Sequence, residues 1–130
     1  IYQRFFTPIR AMPHDILARS VHIDYENEMV IVGFVEEEGI SRMIAAGTYR
    51  IDPATNFADV AFLVQDDYQG RGIGSFLMEY LIEIARSRGV AGFTADVLAE
   101  NRSMLHVFYK TGLEMQTSFS DGVYHLSFRL

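Results

Sequence analysis

The sequence has no cysteine and only 3 prolines in 130 residues. Without cysteine the chain can form no disulfide, no cysteine-ligated zinc site, no iron–sulfur cluster and no cysteine nucleophile. Positive charge is also scarce, because 11 Lys and Arg stand against 17 Asp and Glu, for a formal net charge of −6. An acidic chain has little electrostatic affinity for phosphate backbones, so nucleic acid is not an expected partner.

Long apolar runs are absent as well. None reaches the ~18 residues that a membrane-spanning helix needs, and the first residues lack the basic flank and cleavage site of a signal peptide. We therefore expect a cytoplasmic protein without a membrane partner. The 130 residues are 49% hydrophobic and 22% charged, which is typical of one globular domain. Because the chain begins at Ile1, we expect a single domain over residues 1–130 that is incomplete at its N-terminus.

Hydrophobic patterning predicts a mixed α/β (α+β) domain with a largely antiparallel sheet. Segments bounded by turn residues, most of them β-branched or alternating, predict strands at residues 29–35, 41–51, 57–64, 90–97, 113–119 and 123–130. Apolar residues three and four apart predict a long amphipathic helix over residues 73–85. Asn101 can cap a second, shorter helix. Pro13 is expected to begin a first short helical stretch that continues to Val21.

The most informative segment joins the third predicted strand to the long helix: Gln69-Gly70-Arg71-Gly72-Ile73-Gly74-Ser75. Glycines at a helix N-terminus leave backbone N–H groups unobstructed, and the positive end of the helix dipole then favours an anion such as a diphosphate. A dinucleotide-binding turn would need a third glycine where Ser75 stands. A Walker A loop would need Gly-Lys-Ser/Thr. The remaining alternative is that the glycines only allow tight packing of strand against helix.

The spacing Gln69-x-x-Gly72-x-Gly74 resembles the Q/R-x-x-G-x-G/A loop of the GCN5-related N-acetyltransferase (GNAT) family. Asn101 and the step Gly112-Leu113 follow in the family's order. Residues 2–8 (YQRFFTP), 23–29 (IDYENEM) and 97–105 (VLAENRSML) are similar to segments of bacterial protein lysine acetyltransferases, which are often fused to regulatory domains.

This resemblance implies the GNAT fold, with its first strand and about 20–30 residues missing from this chain. It also implies acetyl-CoA as co-substrate, a protein lysine as acceptor and a larger multidomain protein. The loop amides would bind the pyrophosphate, backbone N–H groups near Leu63 and Val64 would orient the pantetheine, and Asn101 would contact the pantetheine or cap its helix. The expected binding residues are Leu63, Val64, Gln69, Gly70, Arg71, Gly72, Ile73, Gly74, Ser75 and Asn101. No metal is expected.

Three residues are candidates for proton transfer. Asp59 stands where the branch carries a glutamate, and its carboxylate could take the proton of the acceptor amine. Its apolar neighbours are expected to desolvate it, and the alternative is a solvent-facing aspartate on an alternating strand. Glu28 lies beside the acceptor loop in this branch and is otherwise a surface charge.

The third candidate is Tyr109. Many family members use a tyrosine four residues before the glycine of Gly112 to protonate the departing thiolate, but Phe108 occupies that position here. One residue on a helix is about 100° of rotation. Tyr109 is therefore either the acid or a packing or surface tyrosine.

With no cysteine, we expect direct attack by the amine in a ternary complex. His14, His22, His106 and His125 show neither metal-ligand spacing nor a paired acid, and we expect them to be structural. Two other functions stay open. One is acetylation of a small amine or amino acid, and the other is a non-catalytic acyl-CoA sensor in a larger regulatory protein.

Overall fold

The computed structural model describes residues 10–12, 16–21 and 27–130, which form one eight-stranded sheet with two α-helices. The strands are β1 (Arg10–Met12), β2 (Ile16–Val21), β3 (Glu28–Glu37), β4 (Ile40–Asp52), β5 (Phe57–Val64), β6 (Gly92–Leu98), β7 (Gln116–Ser120) and β8 (Val123–Arg129). The helices are α1 (Ile73–Ser87) and α2 (Arg102–Tyr109), and a 3-10 turn covers Asp66–Tyr68. Neither helix of this part of the chain is long and apolar enough to cross a membrane.

The sheet is mixed and mostly antiparallel, as predicted. Its strand order is β1-β2-β3-β4-β5-β6-β8-β7. Only the pairing of β5 with β6 is parallel among the described strands. A parallel pair needs a crossover connection, and α1 supplies it.

The prediction of a short helix from Pro13 to Val21 is wrong. Pro13 lies outside the described residues, and Ile16–Val21 is strand β2, which pairs antiparallel with β3 from Leu17↔Phe34 to Val21↔Val30. Ile16 and Ala18 are buried while Leu17 is only partly so, which is the two-residue period of a strand. A short helix has little stability of its own, so pairing with a neighbouring strand decides the conformation.

Both helices pack on one face of the sheet. The ring of Phe62 on β5 contacts Phe108 of α2 with centroids 6.0 Å apart. A Cβ added to Gly47, the β4 partner of Phe62, would lie 3.2 Å from Leu81 of α1. Phe108 and Leu81 are both buried. This face therefore holds the hydrophobic core.

β5 and β6 separate part-way along their length. They pair only from Phe57↔Gly92 to Asp59↔Thr94, although β5 continues to Val64 and β6 to Leu98. A cavity of about 220 Å³ lies beyond the paired end, lined by residues 60–62 of β5, 95–98 of β6 and side chains of α2. The sheet is thus open next to Asp59.

The sheet face opposite the helices carries a row of polar residues, one from each of five strands. Arg50 on β4 is paired with Glu28 on β3 and with Asp59 on β5, and the row continues through Thr94 on β6 and Ser127 on β8. Residues opposite one another in a ladder lie on the same face of the sheet. Two of the predicted catalytic residues, Glu28 and Asp59, consequently share this face, with one strand between them.

Candidate active site

A groove of about 420 Å³ lies where the end of β5, the start of α1 and the side of α2 meet. All of the predicted co-substrate-binding residues except Arg71 line it. Met104 and His106 of α2 and Lys110 at its C-terminal cap complete the wall. The structure therefore brings together residues that the sequence places up to 38 positions apart, from Leu63 to Asn101.

The glycine loop presents bare backbone to this groove. Gly70 and Gly72 have φ values of 75° and 80°, in the left-handed region that favours glycine. A Cβ added to either would find no described heavy atom within 4 Å. Gly72 is the N-cap residue of α1. Because glycine has no side chain to accept a hydrogen bond, the first N–H groups of α1 have no side-chain cap among the described residues. These donors fit a diphosphate.

Gly74 has a different role from the other two loop glycines. A Cβ built there would lie 3.0 Å from Cγ2 of Val107 on α2. This glycine therefore allows α1 and α2 to approach each other, and packing is part of the reason for the motif.

The side chain of Gln69 holds the loop against the sheet. Its Nε2 donates to the carbonyl oxygen of Val64 at 3.1 Å and lies 3.3 Å from Oδ1 of Asp66. These contacts join the loop to the last residue of β5. Gln69 thereby fixes the loop position next to the groove.

Two arginines near the glycine loop both lie over the aromatic ring of Tyr68. The guanidinium of Arg71 lies 5.1 Å from the centroid of Tyr68, and that of Arg42 lies 5.6 Å from it. Arg42 also donates to the Tyr68 hydroxyl at 3.3 Å and to Oε1 of Gln65 at 3.4 Å. Cations over an aromatic face are attracted by the ring quadrupole. The structure thus adds Arg42, which sequence reasoning missed, to the positive charge near the groove.

Asn101 caps α2, as predicted. Its Oδ1 accepts from the backbone N–H of Met104 at 3.2 Å and from the hydroxyl of Ser103 at 3.1 Å. The same residue lines both the groove and the cavity between β5 and β6. Asn101 is therefore a fixed point where the two spaces meet.

Asp59 occupies the last paired position before β5 and β6 separate. Its Oδ1 accepts a hydrogen bond from the Thr94 hydroxyl at 3.2 Å. The side chain is exposed in the described part of the chain, so the expected desolvation by apolar neighbours is wrong. Strand alternation turns Ala58 and Val60 to the core and Asp59 to the other face.

Glu28 is held by an ion pair in the same polar row. Its Oε1 lies 3.2 Å from Nε of Arg50, and the side chains are 26% and 78% exposed, respectively. Arg50 stands between Glu28 and Asp59 in the strand register. Glu28 is therefore neutralised by a cation on the neighbouring strand, whereas Asp59 is bonded to a neutral hydroxyl.

Tyr109 does not line the groove. Its ring is half exposed, and its hydroxyl lies 3.3 Å from Oγ1 of Thr117 on β7. Phe108 is buried in the core. The helix rotation of one residue thus turns Tyr109 towards β7, and the structure does not bring it to the other candidate residues.

The expectation that no histidine has a paired acid is wrong for His125. Its Nδ1 lies 2.6 Å from Oδ1 of Asp96, and its Nε2 lies 2.9 Å from Oγ of Ser120. Asp96 and His125 are 29 residues apart and meet because β6 and β8 pair at this position. His106 lines the groove, whereas His14 and His22 lie outside the described residues.

Comparison with known proteins decides the family. The model of the acetyltransferase (GNAT) family matches residues 1–113. The chain belongs to this family. It is 38% identical over 113 residues to "Acetyltransferase Pat" of Mycolicibacterium smegmatis, an alignment that covers 86% of this chain and 33% of that protein. The GNAT resemblance and the similarity to the protein acetyltransferase branch are confirmed.

Solved structures of GNAT proteins share the fold. The GNAT domain of PAT from S. lividans superposes with a TM-score of 0.70 at 36% identity, covering 85% of this chain and 65% of that one. A cAMP-binding acyltransferase from Mycobacterium smegmatis superposes with a TM-score of 0.75 at 26% identity, covering 98% and 47%. This chain spans about a third of the length of the curated Pat relative and about half of that acyltransferase.

Proposed function

We propose that this GNAT domain transfers the acetyl group of acetyl-CoA to lysine side chains of proteins, as part of a larger protein. The observation that carries the proposal is that two spaces share part of their lining. The groove at the α1 N-terminus and the cavity between β5 and β6 share the lining residues Phe62, Asn101 and Met104. The cavity begins at Val60, one residue beyond Asp59 on β5, so in the proposal the anion-binding end and the carboxylate end are joined through the gap between β5 and β6.

In the proposal, the end of the site that binds the co-substrate consists of backbone N–H groups and two guanidinium groups. In the proposal, N–H groups of residues 70–74 donate to the pyrophosphate, and Arg71 and Arg42 supply positive charge beside them. Backbone N–H groups at the end of β5 near Leu63 and Val64, where β5 no longer pairs with β6, would orient the pantetheine arm and polarise the acetyl carbonyl. When bound, acetyl-CoA supplies an activated acyl thioester.

At the other end of the site, in the proposal, a carboxylate removes a proton from the acceptor amine. A free lysine has a pKa of about 10.4, so well under ~1% is the neutral nucleophile at pH 7. Asp59 would take the proton of the ammonium group directly or through a water, and the Thr94 hydroxyl at 3.2 Å would hold the carboxylate in place. Since the sequence has no cysteine, the amine would attack the thioester directly. The thiolate would then take its proton from solvent or the acceptor, since Tyr109 is bonded to β7.

The acceptor class follows from charge and from the relatives. Asp59 and Asp96 line one exposed groove on the polar face, and the chain carries a net charge of −6. Such a surface attracts cationic substrates. The relatives named Pat favour a protein lysine over a small amine.

The test is a CoA-release assay on the full-length protein with acetyl-CoA and lysine-containing proteins, followed by mass spectrometry of the acceptor. Transfer to protein lysines is the expected result. Efficient turnover of free amines with none on proteins would instead assign a small-molecule acetyltransferase. Binding of CoA by calorimetry without transfer to any amine would assign a non-catalytic sensor.

A further inference from the structure

Three side chains on the polar face, outside the groove of the glycine loop, form a continuous hydrogen-bonded chain. Ser120 Oγ lies 2.9 Å from Nε2 of His125, and Nδ1 of His125 lies 2.6 Å from Oδ1 of Asp96. The His125 side chain is 43% exposed and that of Asp96 is 71% exposed. The chain of contacts is therefore open to molecules arriving from solvent.

The chemistry of the three side chains determines which atom donates and which accepts in each hydrogen bond. An ionised carboxylate only accepts, so Nδ1–H of His125 donates to Asp96. In the neutral ring Nε2 then carries a lone pair, which accepts the hydroxyl proton of Ser120. A serine hydrogen-bonded to an imidazole whose other nitrogen is held by a carboxylate is the arrangement that activates a serine nucleophile.

The sheet fixes this arrangement in place. Asp96 on β6 and His125 on β8 are directly paired, and Ser118 on β7 is the partner of His125 on the other side. Ser120 lies two residues further along β7 and so faces the same side. Asp121 and Gly122 have φ values of 51° and 76°, and the two-residue turn that they form holds the end of β7 against β8.

We propose that Ser120 is the nucleophile of a second acyl-transfer site that hydrolyses small activated esters without CoA. Ser120 Oγ attacks the ester carbonyl while its proton moves to Nε2 of His125. The carbon–oxygen bond to the leaving group then breaks, and Nε2 returns the proton to the departing oxygen. Water, deprotonated by the same nitrogen, cleaves the acyl-serine, which releases the carboxylic acid and regenerates the hydroxyl.

A space for the ester lies next to His125, the residue that contacts Ser120. An open groove of about 560 Å³ on the polar face is lined by Asp96, His125 and neighbours that include Thr94 and Gln116. A small acyl ester fits such a space without entering the groove of the glycine loop. Asp59 lines the same groove, so an ester bound there would compete with the amine acceptor of the proposed acetyl transfer and not with acetyl-CoA.

The experiment measures hydrolysis of 4-nitrophenyl acetate by the full-length protein in the absence of CoA. We expect turnover that falls about 100-fold or more in Ser120→Ala and His125→Gln, the range that general base catalysis contributes. Asp96→Asn should also lower the rate, and Asp96→Glu should restore part of it because a carboxylate can again orient the ring. Ser41→Ala is the control, because it removes an exposed serine hydroxyl on β4 outside this groove, and it should keep the wild-type rate.

A second measurement uses the wild-type protein and therefore does not depend on whether a variant folds. A fluorophosphonate probe should phosphonylate Ser120 of the wild-type protein, with loss of fluoride. Trypsin cleavage after Lys110 and Arg129 gives a peptide in which fragment ions separate Ser118, Ser120 and Ser127. Labelling elsewhere in that peptide, or equal ester turnover by Ser120→Ala and wild type, would overturn the proposal. The contacts of Ser120, His125 and Asp96 would then only stabilise the β7–β8 hairpin.

Discussion

At the scale of single residues, Asp59 carries the clearest prediction. Asp59→Ala should lower kcat by about 10²–10⁴-fold, because a positioned proton acceptor contributes that much to a transfer reaction. The Kd for CoA, measured by calorimetry, should hardly change, since the carboxylate lies on the face opposite the helices. Glu36→Ala removes an exposed carboxylate near the far end of β3 and is the control. An Asp59→Ala enzyme with normal kcat would assign the proton transfer to another group.

A second residue-scale prediction concerns Tyr49, whose ring is 1% exposed. Its buried hydroxyl makes no well-formed hydrogen bond among the described residues, although the Arg88 guanidinium is close enough to lower its pKa. An unsatisfied buried polar group costs about 1–3 kcal/mol. Tyr49→Phe should therefore leave the free energy of unfolding unchanged or raise it, as measured by urea denaturation. A loss of more than about 1 kcal/mol would show that the hydroxyl is bonded in the folded protein.

The same residue makes stability depend on alkaline pH. Burial raises the pKa of the Tyr49 phenol above its usual 10.0, although the Arg88 guanidinium partly opposes the shift. With the folded pKa above the unfolded one, the unfolded state loses its proton first, so stability is complete below about pH 10 and falls as the pH rises further. Tyr49→Phe should have a shallower loss of Tm above pH 10. Identical slopes for the two proteins would contradict this account.

Local spacing identified much of the candidate site, and strand pairing supplied what it missed. Gln69, Gly72 and Gly74 lie within six residues, so their pattern is visible in the sequence. Arg42 meets Tyr68 across 26 residues, and His125 meets Asp96 across 29. Such contacts depend on register, which a single sequence does not specify for strands of this length.

At the scale of elements, the glycine loop can be tested with a pair of equivalent substitutions. Gly72→Asp should abolish CoA binding, because a carboxylate in the groove repels the pyrophosphate and covers the helix N-terminus. Gly39→Asp is the control: its φ of 77° matches the 80° of Gly72, and its added Cβ is equally unobstructed. Calorimetry should show normal CoA affinity for Gly39→Asp. Loss of binding in both variants would indicate backbone strain rather than a blocked groove.

The elements also show where sequence reasoning holds and where it fails. α1 has the apolar spacing of a helix over 15 residues, and the structure extends the predicted end only to Ser87. β2 is six residues long, too short for a helical period to be distinguished from alternation, and β3 provides a ready pairing edge. Long periodic segments specify their own conformation, whereas short ones adopt what their neighbours allow.

At the scale of the whole molecule, the sheet divides the proposed chemistry between its two faces. The helix face holds the glycine loop with Arg42 and Arg71, while the polar face carries Asp59 and Asp96 in a chain of net charge −6. An anionic co-substrate and a cationic acceptor would thus approach oppositely charged local surfaces from opposite sides. The opening between β5 and β6 is where they would meet.

This charge separation predicts how acceptors respond to salt. Screening lengths shrink from roughly 14 Å at 0.05 M to about 6 Å at 0.3 M ionic strength, so attraction between the polar face and a cationic peptide weakens. For a lysine peptide with flanking arginines, kcat/KM should fall several-fold over that range. For a peptide of equal length with flanking glutamates it should stay level or rise. Equal salt dependence for the two peptides would show that the polar face does not select the acceptor by charge.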